Sequence, residues 1–290
     1  MRYLSLFSGI GGFEIAIQSA FPEHPLLGSI TDINPYALPD FDMIVGGFPC
    51  QDLSIAKAGR KGLSGSRSGL FWTMLLIMRI KNPKYFCFEN VASMPKQDRD
   101  IITKELGVEP VMINAALVSA QSRKRLFWCN WKVDLPEHTN VYLIDILESG
   151  YPLNLRVNPL KSYCVDANYW KSESIKHHID HHLRQLVLQP VRFGDIGSNG
   201  QGQRVYSVKG KSVTLQANGG GQGALPGLYF IGCPDGDYII RKLTPTECER
   251  LQCFPDGWTE GVSNTQRYRQ LGNAVNVEVV KHIMKALIPF

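Results

Sequence analysis

Pro49-Cys50-Gln51 sets a thiol at the junction between a strand-like run, Met43-Ile44-Val45-Gly46-Gly47-Phe48, and a Gly- and basic-rich stretch from Asp52 to Ser68. The thiolate is the nucleophilic form of cysteine, and nearby cations or backbone dipoles lower its pKa. Cys87-Phe88-Glu89-Asn90-Val91 is a second apolar strand, ending in a carboxylic acid. An acid beside an apolar strand is costly to ionise, so the pKa of Glu89 is expected to rise, which suits a proton donor at neutral pH. Gln121-Ser122-Arg123-Lys124-Arg125 leads into Leu126-Phe127-Trp128 and brings paired guanidiniums to a third strand boundary. A thiolate, an acid and two guanidiniums, each at a strand boundary, suit covalent attack on an electron-poor ring. Plainer readings exist: Cys50 as a buried apolar residue, Glu89 as a surface residue at a strand end, the arginines as a solvated turn. The Pro-Cys-Gln context, with an acid at the next strand, favours the nucleophile.

The elements that must position these groups follow an alternating pattern. Tyr3 to Phe7 reads as a short buried strand, Ser8 to Gly12 as a glycine turn, and Phe13-Glu14-Ile15-Ala16-Ile17 as the start of a helix. Strand, glycine turn and helix are how a doubly wound sheet presents backbone N–H groups to a ligand. Further strands are expected at 43–47, 84–88, 110–114 and 125–130, and helices at 69–80 and 97–106. The alternation predicts an α/β fold with a doubly wound, mainly parallel sheet. After about residue 150 the character changes to glycine-rich, short β-like pieces such as Arg204-Val205-Tyr206-Ser207-Val208. Helical signals return at Thr244-Pro245-Thr246-Glu247, an N-cap with Pro at the first helical position, and over Val275–Leu287. The expected organisation is a catalytic domain over 1–150 and 240–290, with a smaller β-rich domain over 151–239 between them.

Composition bounds the function classes. The chain has 290 residues, 44% hydrophobic and 20% charged, which is ordinary for a globular protein. A net charge of +5 allows polyanion binding without demanding it. Seven cysteines without paired spacing do not form a disulfide framework, and Cys87 and Cys129 sit inside apolar runs as core residues. No apolar run is long enough for a spanning helix, and the N-terminus goes straight into a strand, so a reducing, cytoplasmic setting is expected. His177, His178, His181 and His182 could pair at helical spacing, but no Cys or Glu at ligand spacing completes a site, so no metal is expected.

Six blocks together resemble the DNA (cytosine-5)-methyltransferase family, of the small bacterial or phage type. They are Phe-Ser-Gly-Ile-Gly-Gly at 7–12, Gly-Gly-Phe-Pro-Cys-Gln at 46–51, Glu-Asn-Val at 89–91, Gln-Ser-Arg-Lys-Arg at 121–125, Arg-Lys-Leu-Thr-Pro-Thr-Glu-Cys at 241–248 and Gln-Leu-Gly-Asn-Ala-Val at 270–275. They occur in family order over nearly the whole chain. The resemblance implies methyl transfer from S-adenosylmethionine, leaving S-adenosylhomocysteine, to C5 of cytosine in double-stranded DNA. Cys50 would attack C6, Glu89 would hold or protonate N3, and Arg123 and Arg125 would steady the ring. The implied cofactor contacts are Phe7, Gly9, Ile10, Gly12, Ser29, Ile30, Asn273, Ala274 and Val275. Chemistry at C6 requires the base to leave the stack. In the stretch after Cys50, Ser54 and Arg67 suit phosphate contacts, and four glycines, Gly59, Gly62, Gly65 and Gly69, leave it free to close. Gly200-Gln201-Gly202-Gln203-Arg204 resembles the family's base-replacing loop, with Gln201 as the inserted side chain and Arg204 as a base or phosphate contact; Thr214 resembles a phosphate-contacting threonine. A monomer is expected, with a restriction endonuclease, if one accompanies it, acting separately.

One departure stands out. Family members carry another strand and helix after the first helix, and that strand ends in an acid for the ribose hydroxyls. Here Gln18 to Leu27 is too short for a crossover, and Ser29 stands where the family has an aspartate. Part of the cofactor pocket is lost, or a segment is absent from the chain. The competing readings are a tRNA cytosine-5 methyltransferase with the same chemistry, and a DNA-binding relative with an impaired cofactor pocket.

Overall fold

The computed structural model describes residues 1–18, 21, 30, 33–50, 53, 62–65, 69–148, 151–152, 162, 164, 167, 186–190, 205–207, 228–230 and 238–287. Its central sheet has five strands in the order β1 (Tyr3–Leu6), β2 (Met43–Gly47), β3 (Tyr85–Val91), β5 (Lys124–Cys129), β4 (Val111–Asn114). β1, β2 and β3 pair in parallel, whereas β5 runs antiparallel to both β3 and β4. The sheet is therefore mixed: four strands share one direction and β5 opposes them. The cause is local. The connection from Asn114 to Lys124 is too short for a crossover helix, so β5 must turn back beside β4.

Alternation along the strands divides the apolar residues between two faces. Leu4, Leu6, Phe86, Phe88, Leu126 and Trp128 form one core with Phe71, Met74, Leu75 and Ile77 of α2 (Leu70–Lys81) and Ile102 and Leu106 of α3 (Lys96–Leu106). Tyr3, Val45, Cys87 and Phe127 are buried as well. Over that opposite face, α1 (Gly12–Gln18) packs against the last helix, Val277–Lys285, whose Val279 lines a small cavity together with Phe127. Helices on both faces make the sheet doubly wound. Cys87 and Cys129 lie opposite each other on β3 and β5, with sulfurs 3.3 Å apart inside this core.

Between these elements come α4 (Leu143–Ile146), α5 (Pro245–Leu251) and α6 (Asn264–Asn273); the last helix is α7. The expected cap of α5 forms as a capping box, in which the Thr244 hydroxyl accepts from the Glu247 amide and the Glu247 carboxylate accepts from the Thr244 amide. Helix α6 is invisible in the hydrophobic pattern, since Asn-Thr-Gln-Arg-Tyr-Arg-Gln buries only Leu271 and Gly272 after it. Its start is marked by Ser263, whose hydroxyl accepts from the Gln266 amide.

The chain divides into two compact units: Met1–Ile146 with Asn158–Glu173 and Thr244–Phe290, and Leu147–Val157 with Ser174–Leu243. The stretch 158–173, placed by sequence in the second domain, groups with the first unit. The second unit holds an antiparallel sheet, β10 (Tyr238–Lys242), β7 (Leu186–Pro190), β6 (Tyr151–Pro152), and a parallel pair, β8 (Val205–Ser207) with β9 (Leu228–Phe230). Among the described residues no helix is long and apolar enough to cross a membrane.

Candidate active site

Cys50 emerges just beyond the end of β2, half-buried. Asn90 in β3 holds the approach to it: the Asn90 amide donates 3.0 Å to the Phe48 carbonyl, and its own oxygen accepts from the Val91 amide at 2.8 Å. Glu89 was expected at the end of its strand, but β3 continues through Val91 because β5 pairs with it to the last residue, Val91 opposite Arg125. Glu89 lies opposite Phe127, so Arg125 is its diagonal cross-strand neighbour, and the Arg125 Nε meets the Glu89 carboxylate at 2.9 Å. On the other side Gly47 pairs with Glu89; a Cβ on Gly47 would sit 2.8 Å from the Glu89 Oε2. The glycine makes the room that the carboxylate occupies.

Burial pushes the Glu89 carboxyl above its usual range, against the pull of Arg125 and Arg123, as the sequence predicts. The Cys50 thiol goes the opposite way from the expectation. Burial raises it, the Glu89 charge raises it further, and the two arginines lower it by less. Desolvation outweighs the cations because the thiol sits within the cavity wall rather than on an open basic loop. The two shifts are coupled: a protonated Glu89 removes a charge that opposes the Cys50 thiolate.

The two arginines have different surroundings. Arg125 faces Glu89, whereas Arg123 is 3% exposed and donates through Nη2 to the carbonyls of Gly272, at 2.9 Å, and Ala274, at 2.8 Å. Its Nη1 lies 3.1 Å from the Cys164 sulfur. Burial, and then Arg125, pull the Arg123 pKa below the usual guanidinium value. Arg123 thus braces the C-terminal loop, and Arg125 is the guanidinium paired with the acid. Sequence could not reveal this, because the partners are backbone carbonyls about 150 residues away in the chain, a separation of 149 for Gly272.

The glycine turn forms after β1. Phe7, Gly9 and Gly11 all have positive φ, at 60°, 57° and 81°, and the Gly11 amide donates to the Ser8 carbonyl. Gly12 opens α1 against the 270–275 segment: a Cβ there would lie 2.7 Å from Val275 Cγ2. Asn273 ends α6, and Asn276 caps α7 by accepting from the Val279 amide. Beneath the turn, the Tyr3 hydroxyl and the Glu14 carboxylate are buried without hydrogen-bond partners among the described residues, and burial followed by the Glu14 charge pushes Tyr3 up to about 12.

A single cavity of about 270 Å³ gathers these pieces. Cys50, Glu89, Arg123 and Arg125 line it together with Phe7, Gly9, Ile10, Gly12, Asn273, Ala274 and Val275. Phe7 does double duty, since it also packs on the core. Ser8, Gly47 and Gln270 line the cavity too; all three lie inside the quoted blocks but were not among the implied site residues. Ile30 does not; it is 6% exposed within the apolar core, where its side chain gains more from burial than from a polar ligand. Ser29, Ser54, Arg67, Gln201, Arg204, Thr214 and the His177–His182 cluster lie outside the described residues.

The family model described as C-5 cytosine-specific DNA methylase matches residues 18–289. The chain belongs to this family. The methylase is similar to the type II methyltransferase M.HhaI of Haemophilus parahaemolyticus, with 29% identity over 323 aligned residues that cover 98% of this chain and 93% of the relative. That alignment is longer than the chain of 290 residues, so the relative holds segments this methylase lacks. The type II methyltransferase M2.ScrFI of Lactococcus lactis subsp. cremoris is 30% identical, over 90% of this chain and 70% of that protein. Among solved structures, the Entamoeba histolytica methyltransferase EhMeth superposes with a TM-score of 0.62 at 15% identity, over 99% of this methylase and 97% of that chain, a likeness of fold.

Proposed function

We propose that this methylase transfers a methyl group from S-adenosylmethionine to C5 of a flipped-out cytosine in duplex DNA, with Cys50 as the covalent nucleophile. The observation that carries the reading is the shared cavity: Cys50 and Glu89 line the same space as the glycine turn and Asn273–Val275. The cofactor site fits the residues present. The turn's positive-φ backbone faces the cavity, Gly12 lets the 270–275 segment approach it where a Cβ would meet Val275, and Phe7 offers an aromatic face. Phe7, Gly9, Ile10, Gly12, Asn273, Ala274 and Val275 would hold the cofactor, which supplies an electrophilic methyl group.

Cytosine C5 is a poor nucleophile until C6 is attacked. The Cys50 thiolate forms a bond to C6 while Glu89 donates its proton to N3, so the electron pair released from the ring reaches C5 as an enamine. After methylation at C5, loss of the C5 proton to a base expels the Cys50 thiolate, N3 returns its proton to Glu89, and the aromatic ring is restored. Arg125, already paired with Glu89 at 2.9 Å, would face the charge that develops on the ring oxygen, and Arg123 keeps the cofactor loop against the same wall. For DNA, Ser54 and Arg67 serve as phosphate contacts; in the 151–239 recognition domain Gln201 fills the gap left by the base, Arg204 contacts guanine or phosphate, and Thr214 contacts phosphate. A restriction endonuclease, if one accompanies it, acts as a separate protein.

Incubation with labelled S-adenosylmethionine and either duplex DNA or tRNA tests the reading. Label is expected in DNA at C5 of cytosine; label in tRNA alone would replace it with the tRNA reading, and no label in either would favour a binding protein. The short 18–27 segment adds a quantitative expectation. A missing ribose contact costs about 1–3 kcal/mol, which is about a tenfold to hundredfold loss of affinity for S-adenosylhomocysteine relative to the family pattern.

A further inference from the structure

Trp258 lies in the connection between α5 and α6 and is 44% exposed. A half-exposed tryptophan usually leaves its N–H to water, but here Nε1 donates to the Ile10 carbonyl at 2.7 Å, in the glycine turn, 248 residues away. The indole stacks on Phe254, with ring centroids 5.9 Å apart and planes 26° from parallel. Its edge passes 3.8 Å from where a Cβ on Gly11 would sit, and Phe254 stands 3.4 Å from the corresponding point on Gly12. Two stacked rings therefore back the turn, while Ile10 and Gly12 line the cavity on its other side.

The indole is itself held from behind. Glu249 is fully buried, and its carboxylate accepts from the amides of Gly257 and Thr259, both at 2.8 Å, so the residues on either side of Trp258 are tied to one anion. The Thr259 hydroxyl also donates to Glu249, and Arg267 reaches the carboxylate through Nη2 at 2.9 Å and the Thr259 hydroxyl through Nε at 2.8 Å. A buried carboxylate with four partners is a rigid anchor. The turn it supports is strained, with Phe7 as well as Gly9 and Gly11 in the left-handed region, and such a turn keeps its shape only where surroundings over-determine it.

We propose that Trp258 is a positioning residue for the cofactor: anchored through Glu249, its N–H fixes the Ile10 carbonyl and thereby the shape of the turn that meets the nucleoside end of S-adenosylmethionine. The inference rests on the cofactor reading of the cavity and assigns that site a support from outside its lining.

Trp258→Phe keeps an aromatic ring against Phe254 while removing the N–H donor and some of the indole's volume. In calorimetric titration with S-adenosylhomocysteine, the loss of one neutral hydrogen bond is expected to weaken binding about threefold to tenfold. Affinity for a duplex that the wild-type protein methylates should stay within about twofold, and KM for S-adenosylmethionine should rise by more than kcat falls. Thr259→Val, which loosens the loop from Glu249 without touching the indole, should weaken the same ligand by a smaller factor and serves if Trp258→Phe folds poorly. Wild-type affinity in Trp258→Phe, or parallel losses for S-adenosylhomocysteine and DNA, would overturn the role of Trp258 alone. No binding of S-adenosylhomocysteine by the wild-type protein would instead remove the cofactor reading, and this proposal with it.

Discussion

At the reacting end of the cavity, side chains hold one another. Glu89 is paired with Arg125, Asn90 grips the Phe48 carbonyl ahead of Cys50, and Arg123 is locked onto Gly272 and Ala274. At the cofactor end, backbone shape does the holding: left-handed residues at 7, 9 and 11, a close approach at Gly12, and helix ends at Asn273 and Asn276. The difference teaches where each end is vulnerable. A polar constellation fails when one chemical group is changed, with little effect on neighbouring backbone. A backbone cradle fails when volume is added to it or when a hydrogen bond that holds its shape is lost.

The largest effect should come from Cys50→Ser. Methyl transfer should fall beyond about 10⁴-fold, and covalent trapping on DNA containing 5-fluorocytosine should vanish while DNA affinity survives in a gel-shift assay. Turnover near the wild-type rate would sink covalent catalysis. Cys87→Ser, which changes a fully buried thiol in the core, should cost stability alone.

Glu89→Gln comes next. Removing a general acid costs about 10²–10⁴-fold, and the loss should appear in single-turnover rates with DNA and cofactor affinities nearly intact. The pH profile sharpens the test. The wild-type falling limb at high pH, set by ionisation of an acid whose pKa burial has raised, should disappear in the variant, whereas the rising limb from Cys50 ionisation should remain. A variant that loses DNA affinity at an unchanged chemical rate would make Glu89 a positioning group.

Adding volume probes the other end. Gly12→Ala places a methyl group 2.7 Å from Val275 Cγ2 and 3.4 Å from Phe254. Overpacking of this kind costs about 1–3 kcal/mol, and here it should appear as about a tenfold weakening of S-adenosylhomocysteine binding by calorimetry. Unchanged binding would show the cradle to be less tightly fitted than its contacts imply.

The smallest effect concerns acid stability. Burial alone would raise the Glu249 carboxyl, but hydrogen bonds from Thr259, Arg267 and Gly257 hold it below the usual carboxylate range. A depressed folded pKa stabilises the protein above the unfolded value and loses that contribution as pH falls through the folded value. The thermal midpoint of the wild-type protein should therefore drop on acidification below about pH 4, and Glu249→Gln, less stable at neutral pH, should show a flatter acid limb. A parallel acid limb in the variant would exclude Glu249 as its source.

The sequence by itself determined the chemistry and its order along the chain. Cys50 after Phe48-Pro49, Glu89 after an apolar run, the glycine turn at 8–12 and the capped helix at 244 are all local signals, fixed by residue type, periodicity and turn preference over a few positions. Helix α6 was not legible, because its exposed polar face carries no hydrophobic period. Only the tertiary structure decided which arginine meets the acid, since that depends on the cross-strand register of β3 with β5. It also decided that Arg123 braces the C-terminal loop, that Ile30 belongs to the core, and that Trp258 backs the glycine turn. The direction of the Cys50 shift was beyond the sequence for the same reason. Nearby cations can be counted from the chain, but the desolvation that outweighs them arises only when elements far apart in sequence close around one thiol.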